Sequence, residues 1–173
     1  MNVPGFPSRS GPTTWSLAAL LLLFVLPESG EAQAPDIQDL AHTARFGTPD
    51  EFRADLRGYD ADAIRNGRFG RGFALIHAAI LNRSSYELFE MAVAAGADID
   101  AQDDEGKTPL HWAIDADRTG AVRRLLAAGA KTSIPNLSGI TAHEFCLKVL
   151  DELPDNPSCR LLLDHRATPG VQH

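Results

Sequence analysis

The sequence repeats itself at a fixed interval. The run Val93-Ala94-Ala95-Gly96-Ala97 returns as Leu126-Ala127-Ala128-Gly129-Ala130, 33 residues later. Gly106 followed by Thr108 returns as Gly139 followed by Thr141 at the same distance. His77 and His111 lie 34 apart, so one residue is gained between Asn82 and Tyr86. A shared period over separate markers dictates a stacked array of small units, each packed on its neighbours, rather than one globular core.

The best-formed unit begins at Gly106-Lys107-Thr108-Pro109-Leu110-His111-Trp112-Ala113-Ile114. Thr108 is a good N-cap, its hydroxyl able to accept from backbone N–H groups of the first turn. Pro109 follows at the first helical position, where a missing N–H costs nothing. Leu110, Ala113 and Ile114 form one apolar face at helical spacing. Residues 117–120 read as a turn and 121–128 as a second helix with Val122, Leu125 and Leu126 inward. Gly129 ends it as a glycine able to take positive φ.

The neighbouring units keep the frame less completely. Around His77 the pattern retains the histidine but lacks the threonine cap and the proline, and its second helix is expected over 86–95. After Gly139, Thr141 and Glu144 form a capping box, T-x-x-E. The second helix of that unit is expected to start at Asn156-Pro157, with Leu161, Leu162 and Leu163 as its apolar content. Upstream, Thr48-Pro49-Asp50-Glu51 is a capping box with proline at the first helical position, opening a helix through Leu56, and residues 40–47 read as the end of a preceding helix. The array is therefore divided into units at about 36–70, 71–104, 105–138 and 139–168.

The tetrapeptide Thr108-Pro109-Leu110-His111 and the run 95–103 with Gly106 resemble the ankyrin repeat, as its signature and as its helix end and β-turn finger. The resemblance implies an all-α solenoid of antiparallel helix pairs, with fingers projecting to one side. It also implies that the repeated histidines hydrogen-bond near their helix starts. The last unit departs from the signature, with Ala142 for proline and Glu144 where histidine is expected.

The first third reads differently. Residues 1–14 are rich in Pro, Gly and Ser around Arg9, and 17–26 are an unbroken apolar run, followed by small residues. A basic start, a short apolar segment and a small-residue exit predict a secretory signal peptide over 1–32, cleaved after Ala32 or after Ala34. The run is too short to span a bilayer, which takes about 20 apolar residues. The remaining domain, 33–173, is thus expected in a bacterial periplasm or outside the cell. Export favours oxidation of the two cysteines, Cys146 and Cys159, into a disulfide; the alternative is a pair of small buried hydrophobes.

The net charge of −7 argues against nucleic acid and anionic membrane surfaces, because both ask for a basic excess. His77 and His111 repeat along the array and are badly placed to share one metal ion. The acidic run Asp98, Asp100, Asp103, Asp104, Glu105 lacks EF-hand spacing. There is no nucleophile elbow, phosphate loop or zinc-protease motif. No catalytic residue, metal or cofactor is therefore assigned.

A repeat array presents an extended surface made of its fingers and first helices. Positions that vary while the frame stays fixed are the candidates for partner binding: Arg68, Arg71, Phe73, Asp104, Glu105, Lys107, Asp115, Leu137 and Ile140. The residues Thr108, Pro109, Leu110, His111, Gly96 and Gly129 belong to the frame. The expected partner is another protein, bound by a monomeric array without membrane insertion. An effector acting on a host protein, and an immunity-type inhibitor masking a toxin or enzyme, are the alternatives.

Overall fold

The computed structural model describes residues 36–167. The expected signal peptide and both candidate cleavage sites lie outside the described residues. Among those described, helices supply nearly all the regular structure, as an all-α repeat solenoid requires.

Four helix pairs follow one another. The first is α1 (Ile37–Phe46) and α2 (Pro49–Leu56), followed by a short extra helix, α3 (Ala61–Asn66). The next pairs are α4 (Leu75–Leu81) with α5 (Glu87–Ala94), and α6 (Pro109–Asp115) with α7 (Thr119–Ala127). The last is α8 (Ala142–Glu152) with α9 (Pro157–Ala167). The first helices stack as one layer, α1 on α4 on α6 on α8, while α2 packs on α5 and α7 on α9 in a second layer.

Local chemistry sets these ends. At α2, Thr48 N–H donates to Glu51 Oε2 at 2.8 Å and Glu51 N–H to Thr48 Oγ1 at 3.4 Å. At α8, Thr141 and Glu144 do the same at 2.9 and 3.2 Å. Helix α3, which the sequence reading passes over, starts where Asp60 accepts from Ala63 N–H at 2.7 Å. Helix α7 begins two residues before its expected start, because the turn is shorter than the polar run 117–120 suggests. Gly96 and Gly129, at φ +94° and +87°, close α5 and α7. Ala97 N–H then reaches back to Ala92 C=O and Ala130 N–H to Leu125 C=O, the six-residue return of a left-handed helix terminus.

The core is thin and continuous. Leu40, Phe52, Leu75, Ile80, Leu88, Phe89, Leu110, Ile114, Leu125 and Leu162 are fully buried along it. Alanines at Ala79, Ala92, Ala113 and Ala142 let the helix backbones approach between these larger side chains. At its end, Cys146 of α8 and Cys159 of α9 are joined by a disulfide, both fully buried. No helix among the described residues is long and apolar enough to cross a membrane.

Candidate functional site

The fingers are three reverse turns, at 69–73, 103–107 and 136–140. Phe69 and Phe73 exchange backbone hydrogen bonds at 2.9 Å, Asp103 N–H donates to Lys107 C=O at 3.1 Å, and Asn136 N–H to Ile140 C=O at 2.9 Å. Asp103 holds the middle turn from within. Its Oδ1 accepts from Glu105 N–H at 2.9 Å and Lys107 N–H at 2.8 Å, and its Oδ2 from Trp112 Nε1–H at 2.7 Å. One period on, Asn136 Oδ1 accepts from Ser138 and Ile140 N–H at 2.9 and 3.0 Å.

Successive fingers are bonded to each other. Asp104 N–H donates to Arg71 C=O at 3.1 Å and Leu137 N–H to Glu105 C=O at 3.0 Å. Gln102 Nε2 bridges Gly106 C=O at 2.8 Å and Pro135 C=O at 3.0 Å. Gly106 sits at φ +71°, and a Cβ there would lie 2.7 Å from Leu137 N. Only glycine fits both the backbone turn and the next finger passing beside it.

Two histidines fasten first helices to the next finger. Ala74 N–H donates to His77 Nδ1 at 3.1 Å, and His77 Nε2 lies 3.2 Å from Lys107 C=O. Thr108 N–H donates to His111 Nδ1 at 3.2 Å, and His111 Nε2 lies 3.1 Å from Ile140 C=O. Because Nδ1 accepts, the ring proton belongs on Nε2, which donates across to the neighbouring unit. Both rings must stay uncharged to do this. Burial pushes His77 down to about 4 and lowers His111 as well, against the opposing pull of the carbonyls. The Thr108 hydroxyl also differs from the expected N-cap: it lies 2.9 Å from His111 Nδ1 and caps no backbone N–H. The ring has taken the place that Glu144 fills at α8.

The opposite ends of the helices are tied by a second ladder. Buried Asn82 donates to Ala44 C=O at 3.2 Å and Gly47 C=O at 3.3 Å, while its Oδ1 accepts from Ser84 and Ser85 N–H. Arg118 donates to Leu81 C=O at 2.9 Å and Asn82 C=O at 2.6 Å, closing the C-terminus of α4. Asp117, at φ +47°, accepts from Asn156 at 3.2 Å and from Ser158 at 2.9 Å.

Against this frame the candidate positions separate. Arg71 pairs with Glu105, and Lys107 Nζ lies 3.1 Å from the same carboxylate. Asp100 is bound by Lys131. The acidic stretch is thus largely answered within the chain, leaving Asp98 and Asp104 as its exposed members. Phe73 is half-buried, with ring centroids of Phe69, His77 and Trp112 at 5.9, 5.4 and 5.2 Å. It anchors the finger to the helix layer. Arg68 is exposed and donates to its own backbone, at Arg65 and Gly67 C=O. Asp115 is exposed, and Leu137, 80% exposed at a finger tip, is the most open large apolar side chain among the described residues. Ile140 is half-buried and serves His111 through its carbonyl.

Trp112 is a residue the sequence reading missed as a candidate. It is half-buried on α6, with Lys107 Nζ 5.0 Å from its ring centroid. Beside it runs an open depression of about 450 Å³ across the first-helix layer, with Leu81, Trp112 and Ala116 along it and Arg45, Arg83, Asp115 and Arg118 around it. A second, over the α4–α5 turn, contains Tyr86, whose ring lies under Arg118 at 5.3 Å and Arg124 at 4.2 Å. No group of three or more His, Cys, Asp and Glu among the described residues could hold a metal ion.

Comparison with known proteins agrees with the geometry. A family model described as ankyrin repeats (3 copies) matches residues 40–136 and 75–172. A fowlpox virus protein named for its ankyrin repeats is 36% identical over 42% of this chain and 17% of its own length. Protein fem-1 homolog A of Bos taurus is 28% identical over 88% of this chain and 22% of its own length. The RelA-associated inhibitor of Mus musculus is 36% identical over 59% of this chain and 12% of its own length. The chain thus spans less than a quarter of each of these relatives.

Proposed function

Because the chain belongs to the ankyrin-repeat family, whose repeats are protein–protein interaction modules and generally non-catalytic scaffolds, we propose that it is a non-catalytic binding module of the bacterial envelope. Its working face is the row of fingers and first helices. The observation that carries this is the division of labour on that face. Backbone ladders and the His77 and His111 bridges fix its shape, while Arg68, Asp104, Asp115 and Leu137 take no part in them through their side chains except Arg68, which folds onto its own loop. A preformed scaffold avoids much of the ordering cost of binding.

Export to the periplasm is supported by the basic, apolar and small-residue order of 1–32. A role as an inhibitor that masks another protein is the second reading; the name of the RelA-associated inhibitor favours it. An effector released from the cell is the third, and recovery from the medium rather than the periplasm selects it.

Crosslinked capture from the native envelope tests the face. Wild-type chain is expected to retain a partner that the doubly reversed Arg68→Glu, Asp104→Lys variant loses, with an unchanged circular dichroism spectrum. Equal capture by both overturns the assignment of this face. Mass spectrometry of the captured bait is expected to find a chain starting at Gln33 or Pro35, and an intact Met1 overturns export.

A further inference from the structure

We propose that the depression beside Trp112 receives a short acidic segment of the partner protein, extended across α1, α4 and α6 with an apolar side chain seated on the indole. This rests on the protein-binding reading above and specifies the chemistry of the partner.

The chain as a whole carries −7, yet this depression is rimmed by Arg45, Arg83 and Arg118 against the single carboxylate of Asp115. The three cations are differently committed. Arg118 spends its donors on the carbonyls of Leu81 and Asn82, so it contributes positive potential from a fixed place. Arg45 lies over the Phe46 ring at 5.3 Å and takes part in no ion pair among the described residues. Arg83 is exposed and makes no hydrogen bond or ion pair among the described residues. Elsewhere Arg53, Arg71, Arg124 and Arg160 each meet a carboxylate of this chain, whereas Arg57, Arg65, Arg68 and Arg123 do not among the described residues; what marks Arg45 and Arg83 is that they line one depression together. Two free guanidinium forks at one groove match carboxylates, which they bind in bidentate fashion.

The depression is open rather than enclosed, so it suits a length of chain, whereas a small ligand needs most of its surface covered. Its apolar lining comes from Leu81, Ala116 and Trp112. The indole ring is fixed by its hydrogen bond to Asp103, by Phe73 at a centroid distance of 5.2 Å and by Lys107 Nζ at 5.0 Å, and it lines the depression from this held position. An aromatic anchor beside arginines is the composition of an interface hot spot. Asp115 on the wall, and the acidic remainder of the molecule, oppose a long polyanion and favour a segment whose negative charge is local.

The test uses the full chain and fluorescein-labelled peptides of Glu, Leu and Phe, with the same peptide carrying Lys for Glu, and a single-stranded DNA oligonucleotide as competitor. Binding is read by anisotropy and by Trp112 emission. The acidic peptide is expected to bind and the lysine peptide not to bind. Arg45→Glu or Arg83→Glu should each weaken binding about tenfold, and Arg123→Glu, on the second-helix layer, should leave it unchanged. Trp112→Phe should abolish the emission change. Binding of the lysine peptide, equal loss in Arg123→Glu, displacement by the oligonucleotide as effective as by acidic peptide, or no binding of either peptide overturns the proposal. Envelope capture retained in the face of such a result leaves the protein-binding reading standing and removes only the acidic segment.

Discussion

His77 and His111 hold adjacent repeats together through an uncharged ring, and that makes the array sensitive to acid. In the unfolded chain an imidazole titrates near 6.5, whereas burial pushes His77 down to about 4. Between those values the unfolded state carries the extra proton, so stability is complete above 6.5 and drains away as the pH falls towards 4. The loss from His77 comes to about 3 kcal/mol. A thermal midpoint measured from neutral pH downwards is expected to fall across this window, with a shallower slope in His77→Gln. Asp103 offers a second test, at neutral pH. Replacing it with Ala leaves the Trp112 N–H and two turn N–H groups without their acceptor, at an expected cost of about 3 kcal/mol. Asp103→Asn keeps the acceptor for the two turn N–H groups, as Asn136 does in the next turn, but sets an NH2 against the Trp112 N–H, and should cost about 2 kcal/mol. Urea titrations of the two variants separate these outcomes.

Among the elements, the helix starts were legible because a cap lies within three residues of what it caps. Thr48, Thr141 and Pro109 announced α2, α8 and α6 in this way, and Asp60 would have announced α3 by the same rule. What stayed hidden were side chains whose partners lie a whole repeat away. Nothing near Asn82 in sequence indicates Ala44 and Gly47, and nothing near Arg118 indicates the end of α4. Thr108 misled for the opposite reason: its own neighbour, His111, took over the cap. Phe73 and the acidic finger looked available because one chain of residues does not reveal what the adjacent finger brings to it. The finger row is the element most exposed to a single change. Gly106→Ala places a methyl 2.7 Å from Leu137 N at positive φ, and should destabilise by about 2 kcal/mol. Amide exchange is expected to accelerate at Leu137 and Ile140 first.

Across the whole molecule, stability is the sum of neighbour-to-neighbour contacts, and such arrays open from their ends. The disulfide stands at one end, closing a loop of 13 residues between α8 and α9. Its reduction should cost about 3 kcal/mol, seen as faster amide exchange in α8 and α9 before any change in α4 or α6. A double Cys146→Ser, Cys159→Ser variant should behave alike. The turn ladder adds a direction to this. Asn82 reaches back to the first unit, Arg118 to the second, and Asn156 and Ser158 to the third. A chain made from its N-terminus therefore meets, at each step, a surface already waiting for the segment being added. Cys159 arrives last, after every rung is in place. Closing the bond then locks in the rung that Asn156 and Ser158 make with Asp117: a chain cut short before Cys159 has no means of sealing α9 to α8.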